Sequence, residues 1–363
     1  MVETLIYFYL TVCVSMILFN LVCACIFRRQ GQKLNRSSLL FEQQIEAQIR
    51  SGSITSRDEA AMIRKLKRVS NLMAFDETLR RLYQREPEKT QQYIISLSPV
   101  FTYLTFEYMG KDALLAAYFP YLIFQYGIFK GQDNRTVSKT LIKLLSADNL
   151  YCRENAMLAL YTIGNADSVV EALQCIDRSE AFHHPKLISD GLLTFSGNRE
   201  ALDVILWGAF PIFTDGMKVA VLDYFRFCGD LHAPPILRVM SDPDTGAEVC
   251  YSCIRYFGKY PSKDALPYLY TFAAYGDARW EFVAITAMAL AGYPCKQTAD
   301  LLKQLLRSRS WYVRYNAAES LERLQIPYEE LMGEFFGRDR YAMEMLQYQH
   351  ARKKLTQKED LPQ

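Results

Sequence analysis

Between Ala147 and Pro327 the apolar positions recur at helical spacing, and the pattern is clearest in Ser308 to Leu324, SRSWYVRYNAAESLERL. There Val313, Ala317, Leu321 and Leu324 fall on one helical face, and Ala317 and Ala318 are small enough to admit a neighbouring helix. With Leu321 as a register mark, equivalent residues stand at Leu160, Phe195, Phe225, Phe257 and Leu290, spaced by 35, 30, 32, 33 and 31 residues on subtraction of those positions. A spacing that regular predicts a helical solenoid, in which each unit buries its apolar face only against its neighbours. Gly164, Gly197, Gly229, Gly258 and Gly292 follow the marks as candidate helix stops. A second amphipathic run follows each, at Asp167 to Ile176, Arg199 to Gly208, Pro235 to Met240, Lys263 to Ala274 and Gln297 to Leu306, so each unit contains two helices.

These units resemble HEAT repeats. The Val313-Arg314 pair opening the helix carries the resemblance, with Cys152-Arg153 and Met217-Lys218 as variants, whereas Leu187-Ile188, Val249-Cys250 and Phe282-Val283 lack the basic residue. The resemblance implies an all-α fold, a right-handed α-α superhelix of HEAT-like solenoid type, and says little about activity.

The apolar pattern changes character at the other end. Thr4 to Phe27 holds no charged side chain, and a helix of that length at about 1.5 Å per residue crosses a hydrocarbon core of about 30 Å. Glu3 precedes it and Arg28, Arg29 and Lys33 follow, the reverse of a secretory signal, so we expect a single-pass anchor with the N-terminus outside and the repeat domain cytoplasmic. Residues 28–90 read as a basic helical stalk, with 14 Lys+Arg against 8 Asp+Glu up to Lys89. Its helices are expected at Ser37 to Arg50, from a capping box at Ser56 to Glu59 up to about Ser70, and at Asn71 to Arg85. The run Arg64, Lys65, Lys67 and Arg68 suits an anionic leaflet, and equally a solvated helix face. Tyr93 to Met109 and Leu114 to Phe129 are aromatic helices read either as a first repeat pair or as a docking surface, within a solenoid spanning 91–349. Gly333 to Lys354 reads as one closing helix, and 350–363 as a charged tail, disordered from Thr356.

Candidate chemistry is sparse. Four His residues are scattered, and no HExxH, phosphate-binding glycine loop or nucleophile elbow is present. Cys250 and Cys253 lack a second pair, and the register places Cys152, Cys228 and Cys253 among core positions. We therefore expect no catalytic residues, no cofactor, no metal, no enzyme activity and no small-molecule substrate. A repeat body of net negative charge, with 28 Lys+Arg against 31 Asp+Glu from Gln91 onward, argues against nucleic acid.

The expectation is a membrane-anchored cytoplasmic scaffold that binds a protein partner, an integral membrane enzyme such as an envelope-polysaccharide glycosyltransferase, the last step resting on resemblance of layout. The alternative is a HEAT-like lyase-type enzyme or cofactor-binding protein. HEAT resemblance places partner contacts on the helices that carry the register marks, those the Val-Arg pair opens, just off the core stripe. On that face Tyr251, Arg255, Met288, Tyr315 and Glu319 are the candidate partner-binding residues, because Tyr, Arg and Met are enriched at protein interfaces.

Overall fold

The computed structural model describes residues 2–132, 134–179 and 183–359. Among the described residues the chain is helical, without a strand, and its fold is an all-α helical solenoid preceded by one long apolar helix. The helices are α1 (Val2–Ser51), α2 (Ser56–Leu66), α3 (Val69–Arg85), α4 (Pro87–Ser96), α5 (Ser98–Met109), α6 (Ala113–Ala116), α7 (Tyr118–Tyr126), α8 (Arg135–Lys143), α9 (Leu150–Ile163), α10 (Ala166–Arg178) and α11 (Pro185–Leu193). They continue with α12 (Arg199–Ala209), α13 (Asp215–Cys228), α14 (Ala233–Ser241), α15 (Ala247–Lys259), α16 (Leu266–Ala273), α17 (Trp280–Ala289), α18 (Lys296–Leu305), α19 (Trp311–Arg323), α20 (Tyr328–Phe335) and α21 (Arg340–Glu359). Contacts divide the chain into two units, residues 1–181 with 194–205 and residues 182–193 with 206–363.

In the first unit α1 is one continuous helix, where the sequence pattern predicts a break between anchor and stalk. Its apolar half is long enough to cross a membrane and none of it is buried in the protein. Its polar half packs on α3, burying Ser38, Phe41 and Ile45. A run of ring contacts, Phe41 to Phe75, Phe75 to Phe101 and Phe101 to Phe119, links α1, α3, α5 and α7 through one core. The capping box of α2 lies one residue earlier than the pattern indicates, because the Thr55 hydroxyl accepts from the Asp58 amide and Asp58 answers to the Thr55 amide at 3.0 Å. Asp76 is buried, accepting hydrogen bonds from the Tyr118 and Tyr126 hydroxyls and pairing with Arg80 at 3.2 Å. Burial and this carboxylate push both tyrosines well above the ordinary phenol range.

All six register marks are buried. The inner helices pack in succession, α7 on α9 in the first unit and α11, α13, α15, α17, α19 and α21 in turn in the second. Two side chains explain the repeat motif. Arg153 Nη1 donates to the Ala147 carbonyl at 2.8 Å and Arg314 Nη1 to the Ser308 carbonyl at 2.7 Å, so the basic residue of the pair ties down the loop six positions upstream. Asn155 Nδ2 donates to the Ala117 carbonyl at 2.9 Å, and Asn316 Nδ2 to the Ala284 carbonyl at 2.7 Å, joining each inner helix to the preceding one. Ala117 therefore occupies the place of Ala284, which extends the repeat register to buried Ile123 in α7.

The glycines separate into two kinds. Gly164 ends α9 at φ +81, as its position predicts. Gly258 instead lies inside α15, where a Cβ would meet Ala289 Cα of α17 at 3.0 Å, so close packing is its reason. The predicted aromatic helices are each broken, at Leu97 between α4 and α5 and at Ala117 between α6 and α7. Likewise the closing helix is two, α20 and α21, separated at Gly337, φ +70. Residues 360–363 of the expected tail lie outside the described residues, and α21 runs to Glu359.

Candidate functional site

The second unit's inner helices carry the predicted partner-binding residues, and the structure distributes them unevenly. Tyr251 of α15 is only 9% exposed and packs edge-on against Phe282 of α17 with ring centroids 4.7 Å apart. Arg255 is half-buried and its charge acts on Asp223 of α13. Met288 is 39% exposed, and half-buried Glu319 pairs with Arg323 one turn on, at 2.8 Å. Tyr315 is half-buried, stacked on Trp311 at 4.9 Å and covered by the Arg352 guanidinium 5.6 Å from its ring centroid. The arrangement thus brings Tyr315 into an aromatic group and places Tyr251 within packing between helices.

That aromatic group is larger than the sequence pattern indicates. Trp280 of α17 stacks on Tyr312 of α19 at 5.3 Å, Trp311 lies edge-on to Tyr312 at 5.4 Å, and Tyr348 of α21 closes on Tyr315 at 6.4 Å. Beside it Arg314 lies 5.5 Å from the Tyr341 ring centroid. Trp311 is 48% exposed and Tyr312 58% on α19, and Tyr348 53% on α21, so two successive inner helices present rings to solvent beside half-buried Trp280. The sequence carried the signal: Trp280 and Trp311 both stand ten positions before their register marks, Leu290 and Leu321, at the openings of equivalent helices. Restricting attention to the positions of Tyr315 and Glu319 missed them, although Trp311 lies one turn before Tyr315 on the same helix face.

Further along the same row of helices the surface is charged. Asp223 forms an ion pair with Arg226 at 3.3 Å, with Lys186 and Asp190 of α11 nearby. Burial is the largest influence on Asp223 and pushes its carboxyl above the ordinary range, against the opposing pull of Arg226 and Arg255. Elsewhere in the unit Cys295, exposed at the start of α18, has its thiol drawn below the ordinary range by hydrogen bonding with Thr298 and Tyr270. Cys152, Cys250 and Cys253 are buried and their thiols are pushed up, in keeping with core positions, whereas Cys228 is half-buried. Among the described residues no three His, Cys, Asp or Glu side chains gather as a metal-binding group.

No protein-family model matches the chain, and no curated protein does. Among solved structures it is similar to human deoxyhypusine hydroxylase in complex with glycerol, at 14% identity over 86% of this chain and 96% of that one, with a TM-score of 0.27. That protein is an enzyme, and on this finding the expectation that the chain is not an enzyme is corrected. A lack of familiar catalytic motifs excludes no reaction on a helical array. At that score the likeness concerns neither substrate nor mechanism.

Proposed function

We propose that the chain is a membrane-anchored HEAT-type array that docks a protein partner, an integral membrane protein, on the aromatic face of its last repeats. The observation that carries this reading is the group Trp280, Trp311, Tyr312 and Tyr315, flanked by Arg314 and Arg352. Trp, Tyr and Arg are the side chains that dominate energetic hot spots, while a face that merely meets water carries Lys and Glu. The apolar half of α1 supports the anchor, and the Arg28, Arg29 and Lys33 cluster after it supports a cytoplasmic array. A partner in the same bilayer is then met at high local concentration, so a modest interface suffices. An envelope-polysaccharide glycosyltransferase is the kind of membrane enzyme this layout suits.

The test is the double substitution Trp311→Ala with Tyr312→Ala in the full chain. Pull-down from solubilised membranes followed by mass spectrometry is expected to lose the partner while the melting temperature holds, since both rings are about half exposed. Retention of the partner would refute the docking face. The second reading, a lyase-type or cofactor-binding solenoid, would be selected by a chromophore or small molecule that stays with the protein through purification.

A further inference from the structure

The first unit has two distinct ends along α1. At the C-terminal end of that helix, α4 lies over it, with the Tyr93 hydroxyl donating to Gln48 Oε1 at 2.7 Å. From this end two helices run back toward the apolar half. One is α2, which starts five residues after Ser51, passes Gln44 at Met62 and sets Lys65 over the Phe41 ring at 5.5 Å. The other is α5, which passes Phe75 at Phe101 and reaches the end of α2 where the Tyr108 hydroxyl donates to the Leu66 carbonyl at 2.8 Å. Lys67 joins the two ends, pairing with Glu107 at 3.0 Å.

The α5–α6 turn, Gly110 to Asp112, therefore lies beyond Leu66 on the side of the apolar half of α1. Ser38, where α1 enters the core, is eleven residues past Phe27, or about 16 Å along the helix. Roughly a helical turn of that span is taken up by the end of α5, which leaves the turn about 10 Å from the hydrocarbon edge, just outside a headgroup layer of about 5 to 8 Å and within a side chain's reach of it. This end of the unit is apolar and basic together. Leu114 is 62% exposed, Leu115 45% and Phe106 51%; Lys111 precedes the leucines beside Asp112, the cap of α6, and Arg68 follows Lys67, which Glu107 neutralises, at the end of α2. Exposed leucines within a four-residue helix contribute nothing to the core, and apolar tips bordered by Lys and Arg are the composition of segments that lie in the membrane interface.

We propose that the α5–α6 turn is a second membrane contact, in which Leu114 and Leu115 enter the interfacial layer of an anionic leaflet and Arg68 and Lys111 meet its headgroups. The contact rests on the reading of α1 as a membrane span, with which it is continuous through Arg28, Arg29, Lys33 and Arg36. Two points of attachment fix the tilt of the first unit on the bilayer, which one helix alone leaves free.

Tryptophan quenching in the full chain tests it. The protein is reconstituted into vesicles of phosphatidylcholine and phosphatidylglycerol with brominated acyl chains, and three single variants are compared with the unsubstituted chain. Leu114→Trp is expected to add emission that the brominated lipid quenches. Ile95→Trp, exposed on α4 at the opposite end of the unit, is expected to add emission that it does not. Phe19→Trp, inside the apolar half of α1, reports the span itself. Quenching at positions 19 and 114 but not 95 supports the contact. Quenching at 19 without quenching at 114 overturns the contact and leaves the span standing, whereas no quenching at either position overturns both. Emission from Leu114→Trp that is shielded from aqueous iodide yet untouched by brominated lipid assigns the face to a protein and also overturns the proposal.

Discussion

Substituting Gly258 by alanine sets two effects of opposite sign against each other at one position. Alanine is the better helix former by about 1 kcal/mol in a helix interior, and Gly258 lies inside α15. Against that gain stands the contact with α17, where the new Cβ would meet Ala289 Cα at 3.0 Å and Ala289 Cβ at 3.1 Å. Ordinary carbon contacts lie at about 3.5 to 4.0 Å, so the two helices must part by roughly half an ångström. Backbone and Cβ atoms cannot swing aside as a long side chain would, and overpacking of this kind costs about 1 to 3 kcal/mol. The net expectation is a loss of up to about 2 kcal/mol. Gly333→Ala in α20 is the control, because a Cβ there meets nothing within 4 Å and only the propensity gain remains. The assay is hydrogen exchange by mass spectrometry together with thermal unfolding of the full chain in detergent micelles, since units of a solenoid open locally before the whole melts. Faster exchange is expected in α15 and α17 for Gly258→Ala, and slower exchange in α20 for Gly333→Ala. If Gly258→Ala stabilised the protein as its control does, α15 and α17 would not pack at this distance, and the register around Phe257 and Leu290 would fall.

Other perturbations reach different parts of the account. Asp76→Ala leaves the Tyr118 hydroxyl without its acceptor, at about 1 to 3 kcal/mol, while the Tyr126 hydroxyl keeps the main-chain carbonyl of residue 76 at 3.0 Å, whereas Tyr118→Phe removes one bond at about 1 kcal/mol; denaturant unfolding monitored by circular dichroism checks the ranking. Asp223→Asn is expected to raise the melting temperature at neutral pH. Its folded-state carboxyl is shifted upward, so ionisation costs stability above the folded value and that cost disappears as pH falls through it; the gain over the native chain should vanish in acid, and a gain that grows in acid would contradict the burial argument. Arg314→Met frees the Ser308 and Arg309 carbonyls, both accepting from Nη1 at 2.7 and 3.1 Å, and is expected to loosen the loop before α19 in hydrogen exchange while the other inner helices keep their protection.

Much of the repeat architecture was legible because packing writes itself into sequence with a period. The marks Leu160 to Leu321 and the small residues beside them had to be apolar and regularly spaced for successive helices to nest. Divergent units were legible too, since Phe195 and Phe257 keep the mark where the basic residue of the motif is gone. What escaped was set by contacts between segments distant in sequence. Nothing local shows that Gly258 serves close approach to Ala289 and not a helix end; the cap of α2 is local, but Thr55 with Asp58 and Ser56 with Glu59 offer the same spacing. Continuity of α1 through Arg28 to Asn35 was likewise hidden, because a polar helix and a polar linker look alike until α3 packs against the polar half of α1. On the candidate face the residue types were recognised, but Tyr251 finds Phe282 and is buried, whereas the Trp280 and Trp311 openings come together only when α17 lies beside α19.

The central claim is that the aromatic face meets a membrane protein, and site-specific photocrosslinking tests it most directly. A benzophenone amino acid placed at Tyr312 in the full chain, irradiated in native membranes, is expected to give one discrete adduct with an integral membrane protein, and Trp311→Ala in the same chain is expected to abolish it. The same probe at Tyr151, 70% exposed on α9 of the first unit, is expected to give none. Equal adducts at both positions, or none at Tyr312 in membranes where the partner is otherwise recovered, would contradict the account.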